Sequence, residues 1–134
     1  MGLFKRLVEL LPAYEFDGVK RYYLTLKDRK SFNTFIHDIR TCEHGDLCHN
    51  HPWKISFSFV IKGGYVEELY ENGKRTKRVR GRFSTAVLTP DMFHRVIYAN
   101  PDTWTFFFTV GRTEADWGYR NEFGFYPACE QKKK

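Results

Sequence analysis

Three histidines form the pattern in this chain that could do chemistry. His49 and His51 stand two apart in His49-Asn50-His51-Pro52-Trp53, and on an extended chain such residues point the same way. Ile55, Phe57, Phe59 and Ile61 share that parity, so the imidazoles are expected on the apolar, inward face of a strand that stops at Gly63-Gly64. Two imidazoles on a buried wall either hydrogen-bond within the core or bind a metal. The pair favours a metal, because imidazole nitrogen is the commonest protein ligand for Zn, Fe, Ni and Cu. A third ligand is at hand in Phe93-His94-Arg95-Val96-Ile97-Tyr98, a short β-like run entered through the turn Thr89-Pro90-Asp91. Two strands on opposite sides of a small barrel would bring His49, His51 and His94 to one point around one divalent ion. Three imidazoles suit Fe, Ni, Zn or Mn almost equally.

Glu67 shares a face with Tyr65 and Leu69. Pointing inward, it would be a buried carboxylate that needs a partner, either as a further ligand or as a catalytic general acid or base. Pointing outward, it would pair with the basic strand across the hairpin. Trp53, Tyr65 and Trp104 are the aromatics expected to shape a substrate pocket.

With these residues in view the sequence resembles the cupin superfamily, small antiparallel β-barrels whose first motif carries His-x-His and whose second carries one more His. The likeness is to short single-domain members in which His-x-His-Pro-Trp leads into an apolar strand and Gly-Gly-Tyr. It continues to Trp117-Gly118-Tyr119 and Tyr126-Pro127 and spans roughly residues 20 to 127. The resemblance implies an all-β jelly roll with the three histidines as metal ligands. Cupins usually place a Glu four or five positions after the second His; Ile55 and Ser56 stand there, and the spacing to Gly63 aligns Ser56. Pro90 is one residue closer to His94 than the second motif has it, and Asp91 stands where Gly is common. Open positions on a three-histidine ion would admit water or substrate, as catalysis requires. A binding cupin without turnover fits the missing Glu equally.

The remaining elements must position that site. Leu3, Phe4, Leu7, Leu10 and Leu11 recur at helical spacing before Pro12, giving one amphipathic helix over residues 2 to 11 that covers the barrel or closes an end. Val19 to Thr41 reads as two strands around the turn Asp28-Arg29-Lys30, with His37 as a core or rim histidine. Cys42 to Cys48 is a polar connection without paired C-x-x-C spacing, so a separate zinc site is not favoured, and Glu43 and Asp46 remain as lip carboxylates. Asn72-Gly73 between two strand-like runs is a type I′ hairpin signal. In the strand that follows, Arg78, Arg80 and Arg82 should form a solvated face, with Val79 and Phe83 on its apolar reverse. Later, Trp104, Phe106, Phe108 and Val110 should line the core, with Phe107 opposite.

At 134 residues the chain reads as a single domain, and its 18% aromatic content favours strands. No apolar run approaches a membrane span. Nor is there a secretory leader at Met1-Gly2-Leu3-Phe4, and Arg6 stands where myristoylation expects Ser or Thr, so a cytoplasmic location is expected. Cys42, Cys48 and Cys129 are accordingly read as thiols. The net charge of +6 is concentrated in residues 74 to 82 and the terminal lysines. It raises nucleic acid as a partner, without a supporting motif. A small-molecule substrate is the favoured partner, and homodimer pairing through sheet edges is compatible with the fold. The functional expectation is a mononuclear metalloenzyme of dioxygenase or isomerase type acting on a small organic molecule. A non-catalytic module holding a sugar, nucleotide or acidic metabolite is the alternative.

Overall fold

A computed structural model of the protein describes residues 2–16, 18–25, 31–40, 47–112 and 118–127. Among these residues one short helix, α1 (Gly2–Val8), precedes twelve strands. Strands β1 (Ala13–Phe16), β2 (Val19–Tyr23), β3 (Phe32–Ile39), β5 (Trp53–Lys62), β8 (Thr85–Leu88) and β10 (Thr103–Arg112) make one antiparallel sheet, in the order β1-β2-β3-β10-β5-β8. The second contains β4 (Cys48–His49), β6 (Tyr65–Glu71), β7 (Lys74–Arg80), β9 (Phe93–Ala99), β11 (Gly118–Asn121) and β12 (Gly124–Pro127), ordered β12-β11-β4-β9-β6-β7. Ile39 and Val60 of the first sheet pack with Tyr65 and Val96 of the second. The product is the small all-β, cupin-like barrel expected from the sequence.

Local chemistry explains the turns that hold these sheets in register. Asn72 and Gly73 have φ of 52° and 74°, and Glu71 pairs directly with Lys74, which is the two-residue hairpin signalled by Asn-Gly. Gly63, at φ 75°, packs so close to Thr103 that a Cβ would lie 2.8 Å from its Cα. Among the described residues no helix is long and apolar enough to cross a membrane.

Three facial assignments differ from expectation. First, Phe57 and Phe59 point outward while Ser56, Ser58 and Val60 are buried. The inward set changes parity between Trp53 and Ser56, beside Gly111 at φ 69°. Pro52 and the non-strand residues around it also break the continuity between the imidazole pair and β5. Second, β10 turns Thr105, Phe107 and Thr109 into the barrel, with Phe106, Phe108 and Val110 less buried on the reverse. The inner wall of this strand pair is therefore largely hydroxyl-bearing. Third, Arg78 and Arg80 face inward and Val79 is 77% exposed. The barrel supplies the acceptors that draw these cations in: Arg78 bonds Glu67, while Arg80 bonds Tyr65 Oη at 2.9 Å and Ser58 O at 3.2 Å. Arg75 is likewise engaged by Glu68 and Glu122. The stretch is thus partly internal scaffolding.

Helix α1 lies on the outside of the first sheet. Phe4, Val8 and Leu11 pack against Tyr22, Ile36 and Trp104, whereas Leu3, Leu7 and Leu10 remain exposed. It ends at Val8, earlier than the apolar spacing suggested.

Candidate metal centre

The shortest strand builds the site. β4 has only two residues, and its His49 pairs with His94 of β9 on one side and Tyr119 of β11 on the other. His49 and His94 are thus neighbours within one sheet, not residues on opposite walls. Directly opposed antiparallel residues place their side chains together, and these two rings lie 4.6 Å apart.

His51 arrives by a different route. Between the two histidines, Asn50 is buried and clasps two other segments. Its Nδ2 donates to Pro90 O at 2.7 Å, and its Oδ1 accepts from Gly118 N at 2.8 Å. This fixes the bend that returns His51 to the first imidazole, with ring centroids 5.1 Å apart. Asn50 is a positioning residue that the alternation argument passed over, because it sits at the outward parity.

The three rings converge. One nitrogen from each of His49, His51 and His94 lies within 4.8 Å of the other two. His51 Nε2 and His94 Nε2 are 3.0 Å apart. Two nitrogens at about 2.1 Å from one ion and subtending a right angle would be separated by about 3.0 Å, so this pair already has a ligand-pair spacing. The donor set fits one divalent ion, with small ring movements at His49.

Glu67 stands behind that set. It is 1% exposed, and its Oε2 accepts from His94 Nδ1 at 3.2 Å. Its Oε1 accepts from Arg78 Nε at 2.7 Å and from Arg78 Nη2. With Nδ1 carrying the proton, His94 presents Nε2 toward His51, which is how a carboxylate behind a ligand fixes the tautomer. Burial pushes the Glu67 carboxyl up, but the hydrogen bond and charge of His94 and the Arg78 guanidinium outweigh it, leaving the group at about 2. It is ionised at neutral pH. Of the two placements left open, Glu67 takes the inward one while also pairing with Arg78 across the hairpin, and it lies at the back of His94, outside the cluster of ligand nitrogens.

Burial holds His49 and His51 well below the usual imidazole range, followed for His49 by the charge of His94 and for His51 by that of His49. Neutral imidazole is the metal-binding form.

The expected pocket aromatics divide. Trp53 stacks on His51, centroids 5.6 Å apart and planes 19° apart, and Phe107 lies 5.4 Å from the same ring. Tyr65 belongs to the core cluster of Ile39, Val60 and Val96, where burial raises its hydroxyl to about 12. Trp104 is on the outer face under α1, 5.8 Å from Phe4, with its Nε1 donating to Asp102 at 2.9 Å. Its parity follows the outer face of β10, so it packs the helix and does not line the imidazole site. Cys42, Glu43, His44, Asp46 and Trp117 lie outside the described residues.

Two interior residues had no signal strong enough to single them out for the site. Arg21 of β2 and His37 of β3 are buried and paired in register, with Arg21 Nε donating to His37 Nε2 at 3.0 Å. Arg21 follows Lys20, a basic pair that an exposed edge strand would also show.

The fold is a cupin-like barrel, and its three clustered histidines could hold a metal ion. No protein-family model matches the sequence, and no curated protein does. Solved structures do. Hydroxypropylphosphonic acid epoxidase from S. wedmorenis superposes with a TM-score of 0.60 at 14% identity, over 76% of this chain and 56% of that one. KdgF from Halomonas sp. gives 0.53 at 13% identity, over 79% and 91%. The Mn(II)-containing oxalate decarboxylase of Bacillus subtilis gives 0.60 at 15% identity, over 81% and 30%. The chain thus spans little more than half the length of the epoxidase. These likenesses establish the fold.

Proposed function

We propose that the protein is a mononuclear metalloenzyme of dioxygenase or isomerase type acting on a small organic substrate. The observation that carries this reading is the convergence of three imidazole nitrogens within 4.8 Å of one another. His49, His51 and His94 would hold the ion. A bound divalent ion supplies Lewis acidity and, if redox-active, electron transfer. The chain's own residues do the rest. Glu67, ionised, keeps the His94 proton on Nδ1 and leaves Nε2 for the ion. Trp53 and Phe107 wall the centre on one side and limit access of water. Three protein ligands leave positions through which a substrate can reach the ion. That S. wedmorenis hydroxypropylphosphonic acid epoxidase and B. subtilis oxalate decarboxylase share this barrel supports an enzymatic reading without choosing the reaction.

The test is elemental analysis of protein purified without chelator, beside His49→Ala/His51→Ala. One ion per chain in the wild type, and none in a folded double variant, is the expected result. Wild-type protein that contains no metal and takes up no added Fe, Mn, Ni or Zn would refute the reading. A double variant that unfolds regardless of metal would assign the histidines to the core instead.

A further inference from the structure

The polar contacts behind His94 begin on a strand that carries none of the three histidines. Arg78 lies on β7, which stands at the edge of the second sheet and pairs with β6. The Asn72-Gly73 turn sets Glu71 opposite Lys74, and the antiparallel register that follows from it sets Glu67 opposite Arg78. On its other side β6 pairs with β9, which carries His94. Arg78, Glu67 and His94 therefore run across adjacent strands, from a side chain 34% exposed, through one 1% exposed, to a candidate ligand.

The chemistry of the first member gives the row a direction. A guanidinium only donates hydrogen bonds and keeps its proton in proteins. Arg78 places both Nε and Nη2 on one oxygen, Oε1 of Glu67, the former at 2.7 Å. Oε2 is left to His94 Nδ1 at 3.2 Å. An ionised carboxylate only accepts, so Nδ1 is the donor at this contact, and the neutral ring keeps its lone pair on Nε2. That nitrogen is the one 3.0 Å from His51 Nε2. Without Arg78 the carboxylate is free to rotate off Nδ1. His94 could then hold its single proton on Nε2, where an ion has to bind. Partial exposure lowers what the Arg78 bonds add to stability, but not the direction they impose.

We propose that Arg78 is a positioning residue for the candidate metal centre: acting through Glu67, it holds the proton of His94 on Nδ1 and presents Nε2 toward His51. Control over an inner-wall ligand thus sits on an edge strand, in a stretch whose charge alone reads as a solvated face. The effect of Arg78 on the His94 tautomer stands without metal; its consequence for ion binding rests on the metalloenzyme reading.

The experiment is 15N–1H correlation of the histidine side chains in the metal-free full chain at neutral pH, for wild type, Arg78→Met, Arg78→Lys and Lys77→Met. Competition for Zn²⁺ against a chromophoric chelator follows on the same proteins. Lys77 is an exposed cation on the same strand, in register with Glu68, and serves as the control. Wild type and Lys77→Met should show His94 protonated on Nδ1. Arg78→Met should shift the tautomer toward Nε2–H and weaken Zn²⁺ binding by about 10-fold, with one ion still bound at saturation. Arg78→Lys should recover part of both. If Arg78→Met does not fold, Arg78→Gln takes its place, with a change of the same sign. A wild-type His94 protonated on Nε2, an unchanged tautomer in the folded variant, no recovery in Arg78→Lys, or the same shift in Lys77→Met would overturn the proposal. Weaker Zn²⁺ binding without a change of tautomer would assign Arg78 to packing and overturn it too. The expected tautomers in a protein that takes up no metal would instead overturn the metalloenzyme reading and leave the role of Arg78 intact.

Discussion

Replacing Glu67 by Gln distinguishes a carboxylate that holds His94 from one that belongs to the metal itself. In the wild type one oxygen accepts from His94 Nδ1 at 3.2 Å and the other from Arg78 Nε at 2.7 Å. The substituted amide would keep the length and one accepting oxygen, but its nitrogen accepts nothing, so one of the two partners must be given up. Hydrogen bonds to charged groups are worth about 1.5–3 kcal/mol. The Arg78 side chain is 34% exposed and can turn to water, which discounts its share. The His94 side chain, 12% exposed, has less such recourse, so its tautomer and ring angle are loosened. Loss of a partner behind a ligating histidine lowers metal affinity by about 10–100-fold, or about 1.4–2.7 kcal/mol. The assay is competition for Zn²⁺ against a chromophoric chelator, run on wild type, Glu67→Gln and His94→Ala. Glu67→Gln should fall between the other two, with one ion still bound at saturation. Affinity within two-fold of wild type would refute the role given to Glu67 here. Affinity as poor as that of His94→Ala would refute it in the other direction, by making Glu67 a ligand.

Trp104→Ala should destabilise the protein by about 3–5 kcal/mol in chemical denaturation. It should leave metal stoichiometry at one, because Trp104 packs under α1 and away from the imidazoles; loss of metal from a folded variant would contradict that placement. Gly63→Ala combines a positive φ with a Cβ 2.8 Å from Thr103 Cα, and should cost about 2–5 kcal/mol. Gly73→Ala, with a similar φ but nothing within 4 Å, should cost about 1 kcal/mol by the same measurement. Stability of the metal-free protein should also depend on pH through His37. Its folded pKa is depressed by burial and by Arg21, so stability is complete above the unfolded value near 6.5 and is lost as pH falls from there toward the folded value. Melting temperatures from pH 8 to pH 5 should decline below about 6.5, and less steeply in His37→Gln; equal slopes in the two proteins would remove His37 as the cause.

The His49–His51 pair, His94 and the choice between an inward and an outward Glu67 were legible because alternation within a short stretch is local, although His51 itself reaches the site through the bend at Asn50. The same rule failed over longer reaches. Carried from His51 through Pro52 into β5, it put Phe57 and Phe59 inside the barrel, although Ser56, Ser58 and Val60 occupy that wall. For the basic hairpin it put the arginines in water, because sequence does not say that Glu67, Tyr65 and Ser58 wait as acceptors on the inner side. Aromatic content alone could not tell Trp53, against His51, from Trp104, beneath the helix.

By itself the sequence determined the fold class, the Asn72-Gly73 hairpin and the identity of the three candidate ligands, since turn chemistry and two-residue periodicity are properties of neighbouring residues. Only the tertiary structure decided that His49 and His94 are paired neighbours, that Glu67 stands behind His94, and that Arg21 and His37 share a row. Those relations depend on which strands lie side by side and in what register. Register is set by the packing of the whole barrel, to which every strand contributes and which no single segment encodes.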